Sequence, residues 1–314
     1  MSEVTVDDGV EEQAEDWSPE VSNAFNGLSL GPIRSIYDNQ TIPSSLFHYT
    51  SSQGLLGIIG GDKLWFSDAS FMNDGSEATW GADLASAVIE EFLAGRSAEE
   101  RAAGDALRLE IPRALAAFQP IIFCMSARNN LLNQWRDYGK DIVPYSIELD
   151  TRSFETGADP SFKIFITKIV YDMELQRKLM MDLLTLIHGK TIELLGQRTE
   201  FGEEEGERLV RGAAVEVVNL VSRFKNTSFE AEEEWRAIAY SGYVPPTSRK
   251  FRASGLGVVP YFEWSLKDQK LPIKSVTVGP SPYATVSDLA LKQFLQDSQY
   301  DVPTRFSLIP IRRS

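Results

Sequence analysis

The chain is poor in the residues that hold metals and crosslinks. Its 314 residues include one cysteine, Cys124, and two histidines, His48 and His188. A single cysteine excludes an internal disulfide and suits a reducing cytosol. Three such residues are too few for a zinc site of nitrogen and sulfur ligands. Magnesium could be held by carboxylates alone, but no Asp/Glu spacing calls for it, so no metal is expected. Long apolar runs are also missing. Nothing approaches the ~18 apolar residues of a membrane span. The first residues lack the basic flank and apolar core of a secretory leader, so a cytoplasmic protein is expected. Bases are absent from residues 1–33, which carry eight acids and read as a disordered tail. The net charge is −14, which leaves about −6 for the remainder. An acidic body is a poor partner for a phosphate backbone. The local run Arg249-Lys250-Phe251-Arg252 can still grip a small anion or one end of a nucleotide.

What remains is ordinary globular material, with 43% hydrophobic and 24% charged residues. The pattern predicts strands over 46–50, 63–67, 121–126, 143–149, 162–171, 235–243, 258–264, 273–278 and 306–311. It predicts helices over 54–59, 77–95, 97–117, 131–138, 172–197, 203–224 and 286–296. Ser51-Ser52-Gln53 caps the first of these and Gly60-Gly61 ends it. Asn73-Asp74-Gly75 signals a turn. Strands and helices are interspersed without a regular βαβ alternation, which predicts an α+β fold with a mixed sheet.

Four constellations can carry chemistry. The sequence Phe229-Glu230-Ala231-Glu232-Glu233-Glu234-Trp235-Arg236 heads an apolar stretch. If it is extended throughout, Glu232, Glu234 and Arg236 share one face while Trp235, Ala237 and Ala239 take the other. Paired carboxylates can bond a sugar hydroxyl and stabilise positive charge at an anomeric carbon. Equally, Glu234 can pair with Arg236 or Arg252 at the surface for ~0–1 kcal/mol. In His48-Tyr49-Thr50 the imidazole and the hydroxyl lie side by side and can clasp ribose hydroxyls. Trp65-Phe66-Ser67-Asp68 places two aromatics and then two polar groups on a strand that an ordinary core would also contain. Trp135, Arg136 and Tyr138 share a short helix, either as a clamp over a base or pyrophosphate or as a core stripe. Cys124 reads as a small core residue, and His188 has no motif near it.

Taken in order, His48-Tyr49-Thr50, the 54–59 helix, Gly60-Gly61 and Leu64-Trp65-Phe66-Ser67-Asp68 resemble the opening of ADP-ribosyltransferase-fold proteins. Five blocks are also similar to a widespread bacterial family of unknown function. They are Phe47 to Thr50, Phe71-Met72-Asn73-Asp74-Gly75-Ser76-Glu77, Phe123 to Ser126 with Trp135 and Tyr138, Phe229 to Arg236, and Pro272 to Pro280. Together they span roughly residues 44–312. The resemblance implies one split-sheet domain over 34–314, with helical insertions near 78–118 and 172–224. It implies NAD as substrate and ADP-ribosyl transfer or NAD cleavage, as in a toxin or antiviral effector acting on an unknown protein or nucleic acid.

Under the resemblance, His48 holds the adenosine ribose and Trp65 or Phe71 stacks on nicotinamide. Glu234 bonds the nicotinamide ribose and stabilises the oxocarbenium-like transition state, and Glu232 assists. Tyr49, Thr50, Ser67, Trp135, Tyr138 and Arg252 complete the expected binding set, with Arg252 on the pyrophosphate. The sequence departs from the His-Tyr-Glu type of that fold in its second tyrosine, for which Tyr138 is the candidate by position. The Asn73-Asp74-x-x-Glu77 loop is either a lid or a helix cap. Two other readings compete: a nucleotide- or partner-binding module without catalysis, and a hydrolase using Glu232 and Glu234 without NAD.

Overall fold

The computed structural model describes residues 24–37, 41–71, 76–118, 120–138, 141–156, 164–197, 202–240, 249–254 and 257–310. Residues 1–23 of the acidic leader, and Asn73 and Asp74 of the turn, fall outside them. Residues 24–33, assigned by sequence to the tail, pack on the protein. Phe25 and Ile33 are buried. The Gly27 and Ser29 amides donate to the buried Glu216 carboxylate at 3.0 and 2.8 Å. The first helix follows as α1 (Leu30–Tyr37).

The opening motif folds as β1 (Ser45–Thr50), α2 (Ser52–Gly61) and β2 (Leu64–Asp68). The Ser51 hydroxyl accepts from the Gly54 amide and so caps α2. The helix continues through Gly60-Gly61 and ends at Asp62, whose backbone is left-handed with φ 54°. Two long helices come next, α3 (Ser76–Phe92) and α4 (Ala98–Ala117). A reciprocal Ser97/Glu100 capping box opens α4. Then come β3 (Pro120–Ser126), α5 (Leu132–Asp137), β4 (Tyr145–Asp150), α6 (Arg152–Thr156) and β5 (Phe165–Lys168). The second helical pair is α7 (Met173–Gln197) and α8 (Glu203–Val221). The chain closes with β6 (Glu234–Tyr240), β7 (Arg249–Ser254), β8 (Gly257–Trp264), β9 (Ile273–Val278), α9 (Ala284–Asp297) and β10 (Thr304–Phe306).

Among the described residues ten strands form one sheet in the order β10-β9-β4-β1-β3-β2-β8-β7, with β6 on β3 and β5 on β6. Among the described residues only β10 and β9 pair as parallel strands, so the sheet is mixed and the fold is α+β. The run 249–254, read from sequence as a basic patch, is an edge strand on β8.

The sheet divides at β3. Along one edge β3 pairs with β6 from Pro120 to Ser126. Along the other it meets β1 only at Ser126 and β2 only at Ile121 and Ile122. Among the described residues, Phe123, Cys124 and Met125 have no ladder partner on that edge, so β1 and β2 splay apart and open a cleft.

Two apolar cores flank β6. Trp235, Ala237 and Ala239 join the sheet core with Leu46, Phe66, Phe123 and Trp264. Ile238 faces the helical layer, where Val88, Leu183, Val217 and Phe224 of the α3, α4, α7 and α8 region pack with Phe25 and Ile33. Strand alternation thus serves both layers with one segment. Among the described residues no helix is long and apolar enough to cross a membrane.

Candidate functional site: a cleft at the division of the sheet

The cleft has a volume of about 490 Å³. His48 and Thr50 of β1, Trp65 and Ser67 of β2, Phe71, Cys124 of β3, Tyr138 at the end of α5 and Arg252 of β7 all reach it. They come from five elements that the splayed strands bring together.

Two glycines of α2 fix its back wall. A Cβ on Gly54 would lie 2.0 Å from Thr50 Oγ1, and one on Gly57 would lie 2.0 Å from Trp65 Cζ2. The helix therefore lies directly against both side chains. Gly57→Ala forces Trp65 from its place. Helix propensity returns at most ~1 kcal/mol, and overpacking costs about 1–3 kcal/mol. A net destabilisation with an altered tryptophan emission is the expected result of denaturant unfolding; unchanged stability would contradict the close packing.

His48 is half-buried. Its Nδ1 donates to the Cys124 carbonyl at 2.8 Å, in the gap between β1 and β3, and its ring stacks on Phe123 at 4.2 Å. Burial pulls its pKa down to about 4; the Cys124 carbonyl opposes this and the Arg252 charge adds to it. The imidazole is thus neutral near pH 7, with Nε2 as the acceptor. Tyr49 also borders the cleft, yet its hydroxyl is committed to the following loop. It donates to the Arg128 carbonyl at 3.0 Å and accepts from the Leu131 amide at 2.9 Å.

Arg252 brings the cleft its guanidinium. Nη2 donates to Ser67 Oγ at 2.8 Å, and the group lies 5.8 Å from the Trp65 ring centre. Burial lowers its pKa. Among the described residues its Nε is buried without a hydrogen-bond partner. Nearby cations are matched differently: Lys63 and Lys250 both pair with Glu263, at 2.9 and 2.8 Å. A half-buried guanidinium that, among the described residues, is held by a hydroxyl and not by a carboxylate suits an anionic ligand.

The two candidate carboxylates lie elsewhere. Glu232 is not on the strand. It ends a 3₁₀ turn, Thr227–Glu232, and Glu233 turns the chain with φ 46°. Only Glu234 and Arg236 share a strand face, because the turn intervenes. Both carboxylates nevertheless converge on Lys225, a residue the sequence reading missed. Its Nζ lies 2.7 Å from Glu232 Oε2 and 2.9 Å from Glu234 Oε2. Arg236 Nε donates to Glu234 Oε1 at 2.7 Å. The Lys225 side chain is 2% exposed and that of Glu234 5%. Burial pushes the Glu234 carboxyl up, while Arg236 and Lys225 pull harder and hold it to about 2. Gln176 fixes the Lys225 backbone, donating to its carbonyl at 2.8 Å. The Tyr171 hydroxyl accepts from the Glu234 amide at 2.9 Å.

Glu232 and Glu234 face a separate hollow of about 30 Å³, bordered also by His48, Cys124, Gln134 and Tyr138. His48, Tyr49, Cys124 and Tyr138 border both spaces, so they form the wall between the carboxylates and the cleft. The Tyr138 hydroxyl donates to Glu232 Oε1 at 3.3 Å. Burial raises its pKa.

Of the expected binding set, eight residues border the cleft: His48, Tyr49, Thr50, Trp65, Ser67, Phe71, Tyr138 and Arg252. Trp135 does not. It is 1% exposed, packs edge-on against Tyr49 at 4.7 Å and donates to Asn130 Oδ1. It is a core residue that sets the α5 turn, as the i, i+3 alternative allows. Cys124 is on the cleft wall rather than in the core. His188 lies in the helical layer, 2.8 Å from Glu100. Among the described residues, no group of three or more His, Cys, Asp or Glu is placed to hold a metal ion.

A family model described as "Protein of unknown function (DUF2971)" matches residues 134–237. The match covers about a third of the chain, from Gln134 and Tyr138 through Lys225 to Glu234 and Arg236, so it takes in one wall residue, Tyr138, and the buried ion cluster. No curated protein and no solved structure matches the chain.

Proposed function

We propose that the cleft binds a dinucleotide of the NAD class and that the protein acts on the N-glycosidic bond to nicotinamide. The convergence of His48, Thr50, Trp65, Ser67, Tyr138 and Arg252 on one cleft carries this reading. Each supplies a feature such a ligand needs. Neutral His48, Thr50 and Ser67 offer donors and acceptors to ribose hydroxyls. Trp65 offers a ring for stacking. Arg252 offers a cation for the pyrophosphate. The buried carboxylates Glu232 and Glu234 lie behind the wall, paired with Lys225 and Arg236. The resemblance to ADP-ribosyltransferases points the same way, and with it come the roles of toxin or defence effector and an as yet unidentified acceptor.

Incubating the full chain with NAD and assaying free nicotinamide tests the reading. Release at a rate proportional to protein is expected. The non-catalytic alternative draws on one observation: both oxygens of Glu234 are engaged by Lys225 and Arg236. It predicts stabilisation by NAD without nicotinamide. An NAD-independent hydrolase would instead cleave glycosides with no NAD present.

The binding role of Arg252 has its own test. Arg252→Met removes a charge-assisted contact worth about 1.5–3 kcal/mol. NAD affinity, read by calorimetry, is expected to fall roughly 10- to 100-fold. An unchanged affinity would remove Arg252 from the site.

A further inference from the structure

The cleft is electrically lopsided. Among the described residues that line it, only Asp137 and Arg252 carry a full charge, since His48 is neutral near pH 7. Arg252 is held by the Ser67 hydroxyl. Asp137 is exposed, and among the described residues no cation pairs with it. It is the last residue of α5, where the free carbonyls of the helix disfavour negative charge. The local fold gains nothing from a carboxylate there.

The two charges sit at opposite ends of the cleft. β1 leaves β3 at Ser126 and β2 leaves it at Ile122, roughly 13 Å away along the strand. Asp137 precedes Tyr138, whose hydroxyl donates to the Glu232 carboxylate, and the Glu232 carbonyl accepts from Ser126 Oγ at 2.8 Å. Asp137 therefore belongs to the Ser126 end. Arg252 donates to Ser67, which pairs with Ile122, so it belongs to the other end. Trp65 shares that end, two residues before Ser67 on the same strand face.

NAD⁺ is lopsided in the same way. Its nicotinamide ring carries a fixed positive charge and its adenine carries none. Beside Arg252 the cationic ring would meet a like charge, whereas neutral adenine can stack on Trp65 next to the guanidinium without that cost. At the Asp137 end the cationic ring meets an opposite charge. We infer that the cleft holds the dinucleotide in one orientation, with adenine on Trp65 beside Arg252 and nicotinamide towards Tyr138, and that Asp137 recognises the positive charge of the ring, so that the site selects NAD⁺ over NADH, whose ring is neutral. The inference rests on the reading of the cleft as an NAD site and adds a specificity-determining residue to it. It reverses the ends that the resemblance implies for Trp65 and His48. His48 borders the hollow together with Tyr138, so in this orientation it faces the nicotinamide ribose.

Calorimetry on the full chain tests this with NAD⁺, NADH and the two halves of the ligand, AMP and nicotinamide mononucleotide. NAD⁺ is expected to bind roughly 5- to 10-fold more tightly than NADH, the scale of one opposite charge near a surface. Asp137→Asn is isosteric at an exposed position and should fold. It is expected to erase the preference by weakening NAD⁺ while leaving NADH as it was; a merely structural role would weaken both alike. Between the halves, Trp65→Ala should weaken AMP and spare nicotinamide mononucleotide, and Asp137→Asn should do the reverse. Equal affinity of the wild type for NAD⁺ and NADH would overturn the inference and leave the NAD site standing. So would an Asp137→Asn protein that keeps the preference or loses both ligands equally, or a Trp65→Ala protein that loses nicotinamide mononucleotide and keeps AMP. A wild type that binds neither dinucleotide would remove the NAD reading and this inference together.

Discussion

Lys225→Met is expected to destabilise the protein by about 3–5 kcal/mol, because it leaves two carboxylates buried with one cation fewer. Met fills similar space, so the loss is electrostatic rather than a cavity effect. The pH dependence distinguishes the two. In the wild type the Glu234 carboxyl is held to about 2, against an ordinary 4.5. A depressed carboxyl contributes stability that is fully present above pH ~4.5 and lost as pH falls towards 2. Neutral His48, at about 4 against an ordinary 6.5, adds a loss that starts near pH 6.5 and is complete near pH 4. Without Lys225 the two carboxylates repel and the pKa of Glu234 rises, so its acid-induced loss shrinks. The gap between variant and wild type, read by denaturant unfolding, should be widest near pH 7 and narrow towards pH 3. A gap of equal size at both pH values would mean that Lys225 acts only through packing.

The second large effect concerns turnover. Glu234→Gln keeps the shape and most hydrogen bonds of the side chain but removes the charge that faces the hollow. Nicotinamide release is expected to fall roughly 10²–10³-fold, the scale on which a preorganised electrostatic partner acts. Stability should also fall, since Arg236 loses the carboxylate it pairs with and Lys225 keeps only Glu232 of its two; a surface ion pair of ~0–1 kcal/mol would have left folding untouched. Glu233→Gln is the matched control. Glu233 lies one residue away but pairs at the surface with Arg128 at 2.9 Å, so neither rate nor stability should change. Full turnover by Glu234→Gln would exclude the buried carboxylates from the chemistry.

Local signals in the chain account for much of this structure. Ser51 announces the start of α2, and the β-branched runs announce β9 and β3. The alternation of Trp235, Ala237 and Ala239 against Arg236 and Ile238 places β6 between two cores. The cleft residues of β1 and β2 were legible because they sit in short motifs with a fixed strand–helix–strand spacing. What the sequence does not disclose is tertiary. Glu232 fits the alternation of its neighbours, and only the left-handed turn at Glu233 takes it off the strand. Lys225 follows a helix and reads as any surface lysine; its burial depends on Val170 and Gln176, some fifty residues earlier. Gln134 carries no one-dimensional mark at all. Trp135 and Tyr138 sit three residues apart on one turn, yet one fills the core and the other walls the cleft. The division of the sheet is set by where β1 and β2 leave β3, a property of pairing that no single strand encodes.

The most direct test of the NAD site is a calorimetric titration of the full chain with NAD, alongside Trp65→Ala and Arg252→Met. Saturable one-to-one binding by the wild type, weakened in both variants, is the expected result. No binding by the wild type, or equal binding by all three proteins, would contradict a dinucleotide site in this cleft.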